Sequence, residues 1–271
     1  MKIINHRLHH DDGTPYAFRA SPHEGPVIKP RWLVMHYTAS ANASGAISWF
    51  EDPQSKVSAH IVIAKDGTIT QCVPFNRKAN HAGKSTWKNV VGLNSHSIGI
   101  ELDGFGFLGN AGPGKWKFGS KVIPDSDVVV ATHKFGSPRG GWPRYPQAQI
   151  DAAQELAKLL VKEYALEDVV GHEDISPGRK QDPGPTFPME SFRASAMRRR
   201  SNVREEILPD LGVADVPDHT VGEVVVDVDD DPCGEQQQAA AEHRAVDVRT
   251  DVEPWLEHAS APTRYRDEHH D

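Results

Sequence analysis

The chain has 271 residues, enough for one sizeable core with appendages. It has the composition of a soluble globular protein somewhat rich in Gly and Pro, and no run approaches the ~20 apolar residues a membrane helix needs. The formal net charge of -8 is unevenly spread: residues 1–200 hold 25 Lys+Arg against 19 Asp+Glu, and residues 201–271 hold 5 against 19. The mildly basic body suits an anionic substrate or polymer, and suits an ordinary solvated surface equally well.

The first residues, MKIINHRLHHDDGTP, lack the apolar stretch of a secretory signal, so the expectation is cytoplasmic residence. Release by lysis or export without such a signal would leave the same sequence. Residues 1–30 show little periodicity and read as an extended lead-in packed over the body. Residues 31–38, RWLVMHYT, read as a short central strand. Ser40 or Asn42 can cap a helix through about Asp52, with Ala46, Ile47, Trp49 and Phe50 as its apolar face and Pro53 as its stop. Segments 57–64 and 68–73 flank Lys65-Asp66-Gly67, and Asp-Gly between β-branched runs signals a hairpin.

Residues 97–103, SIGIELD, alternate Ile98, Ile100 and Leu102 against Ser97, Gly99 and Glu101. If the apolar set faces the core, Glu101 faces the other side and any cleft there. Residues 104–146 hold nine Gly and read as a long inserted loop with one strand near Val128–Val130. Residues 147–165 carry the clearest helical stripe: Ile150, Ala153, Leu156, Ala157, Leu160 and Tyr164. A last short helix is expected within 188–200. Residues 201–271 form an acidic low-complexity tail, expected to be disordered. The two cysteines, Cys72 in a strand-like run and Cys233 in the tail, make no disulfide framework.

The chemistry concentrates in 171–185, GHEDISPGRKQDPGP. Three prolines and three glycines predict turns there rather than a helix or strand. The stretch offers an imidazole (His172), an ammonium (Lys180) and a carboxylate (Asp182). With His36 it can supply two imidazoles and a carboxylate to one zinc ion (Zn2+) and leave a position for water, the pattern of a catalytic site. Such a water is acidified toward a pKa of ~7. An amide hydrolase then needs a base, for which Glu101 is the best candidate, and an oxyanion partner, for which Lys180 is. Each residue also has a plain alternative: a satisfied polar group at a strand end, a turn cap, a surface lysine, a salt-bridge partner. His60 and His81 are further candidates, as ligands, substrate contacts or structural groups. No HExxH motif is present.

Taken together, VSAHIVIAKDGTITQCVPFNRKANHAG, SIGIELDG and GHEDISPGRKQDPGP resemble zinc-dependent N-acetylmuramoyl-L-alanine amidases of the AmpD type, the amidase-2 family related to phage lysozyme-type amidases and peptidoglycan recognition proteins. The resemblance runs from about Arg31 to Phe192 and implies an α/β (α+β) fold with a central mixed sheet flanked by helices, and a catalytic domain over 31–200. It implies hydrolysis of the amide between the lactyl group of N-acetylmuramic acid and L-alanine, in peptidoglycan or an anhydro-muropeptide, by a zinc-bound water. By motif position it assigns His36, His172 and Asp182 to the metal, Glu101 and Lys180 to catalysis, and His81 to the substrate cleft; His60 is added as a substrate contact. Ala59 stands where related phage enzymes have tyrosine, and Asp182 where they have a cysteine ligand. A monomer with no nucleic-acid partner and no membrane segment is expected. A non-catalytic muropeptide-binding receptor is the other reading; the presence of all three ligands, the glutamate and the lysine argues against it.

Overall fold

A computed structural model describes residues 1–198 apart from Ser137. The acidic tail over 201–271 lies outside the described residues. The lead-in is more ordered than its lack of periodicity suggests. Strands β1 (Lys2–Ile4) and β2 (Arg7–His9) pair antiparallel, and β3 (Ala17–Phe18) joins the edge of the main sheet. Leu8 is fully buried in the main core, which anchors the segment.

Next come β4 (Trp32–Tyr37), α1 (Ala43–Glu51), β5 (Ile61–Ile63), β6 (Ile69–Gln71), the small hairpin β7 (Thr86–Trp87) and β8 (Val90–Val91), and β9 (Ser97–Leu102). Of the two candidate caps, Asn42 does the work: its side chain accepts from the Gly45 N–H at 2.8 Å. The main sheet has the order β15-β4-β9-β5-β6-β3, where β15 (Asp168–Gly171) comes late in the chain. Strands β15, β4, β9 and β5 run parallel; β6 returns antiparallel and β3 lies parallel on it. The sheet is therefore mixed, as expected.

Period-two alternation decides what each face meets. Leu33, Met35, Ile98, Ile100, Leu102, Ile61, Ile63 and Val169 share a core with Ala153, Leu156, Ala157 and Leu160 of α2 (Gln147–Tyr164) and with Phe192 and Ala196 of α4 (Met189–Met197). On the other face, Trp32, Val34 and Val170 pack with Ala82, Leu93 and Ile175, while Val62 and Ala59 lie against Phe50 of α1. His36 and Glu101 share the parity of this second face.

Two expectations need correction. Residues 104–146 are not irregular. Strands β10 (Gly109–Asn110), β11 (Lys115–Phe118) and β12 (Lys121–Pro124) form a three-stranded sheet, and β13 (Val128–Thr132) pairs with β14 (Arg139–Pro143). These strands are short and mostly half-exposed, so Gly masks the alternation. The 171–185 loop also contains one helical turn, α3 (His172–Ile175), whose Asp174 carboxylate accepts from the Gly171 N–H at 2.8 Å. That bond offsets an orphan donor at the turn's start.

The Asp-Gly hairpin places Gly67 at φ +87°, and a Cβ there would lie 2.9 Å from the Ala148 carbonyl oxygen. Gly92 also has positive φ (+77°), but with open space around it. Gly67→Ala is expected to cost more than about 1 kcal/mol and Gly92→Ala less, as read from urea midpoints. Equal losses would mean that backbone strain alone matters.

Candidate metal centre

Parallel pairing builds the site. In register, His36 of β4 lies beside Glu101 of β9, which in turn lies beside Val62 of β5. On the other side, Met35 pairs with Gly171, so His172 follows directly at the carboxyl end of β15. Asp182 returns along the same loop, its carbonyl accepting from the Glu173 N–H at 2.9 Å. Two distant stretches of the sequence thus bring three side chains to one rim of the sheet.

There the Nδ1 atoms of His36 and His172 are 2.9 Å apart, and Asp182 Oδ2 is 2.8 Å from the first and 2.9 Å from the second. All three residues are buried. His172 Nε2 donates to the Ala82 carbonyl at 3.0 Å, so its Nδ1 carries a lone pair. Acceptors facing one another this closely in a low-dielectric setting repel unless a cation lies among them. Two neutral imidazole nitrogens and one carboxylate oxygen form a donor set that fits zinc.

The protonation states agree with that fit. Burial, followed by the neighbouring His172, pushes His36 down to about 4, so its ring is neutral near pH 7. For Asp182, burial works upward, but His172 and His36 outweigh it and hold the carboxyl well below the usual carboxylate range. Glu101 is 9% exposed, and its Oε2 has no hydrogen-bond partner. Burial and then the Asp182 charge raise its pKa well above the usual value, while Lys180 pulls the other way. Lys180 is half-buried, and its charge acts on both His36 and Glu101.

His81 and His60 differ in kind. His81 Nδ1 lies 3.0 Å from His36 Nε2. His60 sits deeper: its Nε2 donates to the Arg77 carbonyl at 2.8 Å, and its Nδ1 accepts from the Gly99 N–H at 3.0 Å. Both ring nitrogens of His60 are thus taken by backbone, and the side chain is fully buried. Ala59 is buried with Phe50 and Val62.

Sequence reasoning missed the supporting residues. Arg179 donates to the carbonyls of Ala82 (3.0 Å) and Lys84 (2.6 Å) and to Ser176 Oγ (2.7 Å). Asn94 Oδ1 accepts from the N–H groups of His81 (3.0 Å) and Ala82 (2.7 Å). From the other direction, His133 Nε2 donates to Glu173 Oε2 at 2.5 Å, and Lys134 bonds Glu173 and Asp174, which ties the β13–β14 hairpin to α3. Gly-Arg next to Lys180 was the one textual hint of the Arg179 clamp.

Residues 26–185 match the Amidase_2 family model, described as N-acetylmuramoyl-L-alanine amidase. The chain is 34% identical over 169 residues to N-acetylmuramoyl-L-alanine amidase AmiD of Escherichia coli (strain K12), covering 59% of this chain and 51% of AmiD. It is 29% identical over 165 residues to 1,6-anhydro-N-acetylmuramyl-L-alanine amidase AmpD of Salmonella typhimurium (strain LT2), covering 60% of this chain and 70% of AmpD. The chain therefore spans about half the length of AmiD. A solved structure of an AmpD derivative has a TM-score of 0.48 at 25% identity, covering 72% of this chain and 99% of that one.

Burial also pushes His60 down to about 4. His36 and His60 are thus harder to protonate in the folded chain than in the unfolded one, so the stability they contribute is complete above their ordinary pKa of 6.5 and is lost as pH falls toward 4. The urea midpoint of chelator-treated protein should fall between pH 7 and pH 4.5. A flat profile over that range would contradict the buried neutral state of both rings.

Proposed function

Since the match over residues 26–185, more than half of the sequence, shows that this chain belongs to the N-acetylmuramoyl-L-alanine amidase family, we propose that it hydrolyses the amide between the lactyl group of N-acetylmuramic acid and L-alanine in peptidoglycan or muropeptides. The observation that carries the reading is the convergence of His36 Nδ1, His172 Nδ1 and Asp182 Oδ2 beside a buried, unpartnered Glu101 carboxylate oxygen.

In this reading His36, His172 and Asp182 hold one zinc ion. When bound, zinc supplies Lewis acidity that acidifies a water and polarises a carbonyl. The remaining work belongs to the chain. Glu101 accepts the proton of the attacking water; a carboxyl raised by burial is a stronger base than an exposed one and can also give the proton back. The ammonium of Lys180 hydrogen-bonds the oxyanion as the carbonyl carbon becomes tetrahedral. The carbon–nitrogen bond then breaks, and the leaving alanine nitrogen takes its proton from Glu101. One water is consumed, and the products are a lactyl carboxylate and a free amino terminus. No helix of the described residues is long and apolar enough to cross a membrane.

AmiD and AmpD, by their names, act on this amide, AmpD on its 1,6-anhydro form. Comparing turnover on an anhydro-muropeptide and on intact sacculi, by release of L-alanyl peptide, separates the two substrate forms. A chain that binds zinc stoichiometrically but releases nothing from either would be a receptor.

Glu101→Gln is expected to retain stoichiometric zinc and to lose about 10²–10⁴-fold in turnover; a near-normal rate would remove Glu101 from the base role. His172→Ala should lose zinc and turnover together, and metal analysis showing full zinc would mean that the ligand set is wrong.

A further inference from the structure

One imidazole beside the ligands has no part in the chemistry above. We propose that His81 is a positioning residue: it accepts the Nε2 proton of His36 and thereby keeps the His36 Nδ1 lone pair turned toward His172 and Asp182. The inference rests on the zinc reading of those three residues.

Counting protons from the outside in gives the direction of each bond. The Ser97 hydroxyl donates to the Leu93 carbonyl at 2.7 Å, so toward His81 its oxygen can act only as an acceptor. His81 Nε2 faces that oxygen at 3.4 Å and carries the proton. Only one proton fits between His81 Nδ1 and His36 Nε2 at 3.0 Å. With Nε2 of His81 already protonated, neutral His81 accepts and His36 donates. Nδ1 of His36 is then left with its lone pair, as a metal ligand requires.

The ring is flanked by its neighbours. It lies edge-on to His36, with centroids 5.1 Å apart at 81°, and edge-on to His60, 5.7 Å apart at 71°. Gly99 also lies against it, and a Cβ there would come within 2.5 Å of the His81 Cγ. A side chain at residue 99 would expel the imidazole, which is the reason β9 has a glycine facing the cleft. The main chain beneath is held as well: Asn94 Oδ1 accepts from both the His81 and the Ala82 N–H.

Ala82 completes the device. Its carbonyl, also bonded by Arg179, accepts the Nε2 proton of His172. Two consecutive residues therefore set the tautomers of both imidazole ligands, His81 by its ring and Ala82 by its carbonyl. Both nitrogens of His81 are committed to protein atoms, which leaves none for substrate.

Zinc affinity of the full chain, measured by chelator competition, tests this apart from turnover. His81→Phe fills the space without an acceptor and should weaken zinc binding by about 10–100-fold, with KM at saturating zinc unchanged. His81→Gln, whose amide oxygen can accept from His36, should recover part of the affinity. Unchanged zinc affinity with a raised KM in His81→Phe would overturn the proposal in favour of a substrate contact. If His81→Phe does not fold, Ser97→Ala carries the test: weaker zinc binding is expected, and wild-type affinity would overturn it. Wild-type chain that takes up no zinc would overturn the metal site and this inference together; zinc uptake with equal affinity in wild type and His81→Phe would overturn this inference alone.

Discussion

The site depends on a single arrangement, the parallel pairing of β4 between β9 and β15. That register sets His36 beside Glu101 and brings the end of β15, with His172 behind it, to the same rim. Ligand-bearing rims at the carboxyl ends of parallel strands recur across α/β sheets. Here the cause is visible in the packing. Leu33, Met35, Ile98, Ile100 and Leu102 must face α2, so the alternate residues, His36 and Glu101 among them, must face the opposite side of the sheet. A slip of one residue would bury Glu101 among leucines and turn the isoleucines out. The apolar core thus fixes the polar constellation.

Around that frame, the polar groups are arranged so that charge sits where a cation can meet it. Burial keeps the His36 ring neutral, and the neighbouring imidazoles keep the Asp182 carboxylate ionised. Glu101 stands apart with an unpartnered oxygen, the condition in which a carboxyl gains proton affinity. Asp182 and Glu101 carry the same chemical group, and environment alone drives their proton affinities apart.

Much of this was legible in the sequence because it depends on period and turn chemistry. The SIGIELD alternation placed Glu101 on the cleft side, Asp66-Gly67 marked the β5–β6 hairpin, and the stripe from Ala153 to Leu160 marked α2. Charge type and spacing picked out His36, His172 and Asp182, which the fold brings together. The supporting residues were hidden. Asn94, Ser97 and Arg179 look like ordinary polar residues because their partners are mostly backbone groups, in places more than 90 residues away in the chain. Of the strands of 104–146, only the one near Val128–Val130 was legible; the others are two to five residues with interspersed glycine and carry no measurable period. His60, grouped with the substrate contacts by residue type, has both nitrogens occupied by the strand and loop around it.

The bond from His133 to Glu173 divides the 104–146 segment into an inboard and an outboard part. The β13–β14 hairpin is bolted to the residue next to His172, so a change in its length or stagger would pull on that turn. The β10–β12 sheet rests on that hairpin through the Leu108–Gly141 bridge and the cluster of Leu108, Ile123 and Val128. Reshaping that outer leaf changes the surface it presents while the hairpin beneath still holds the turn around His172.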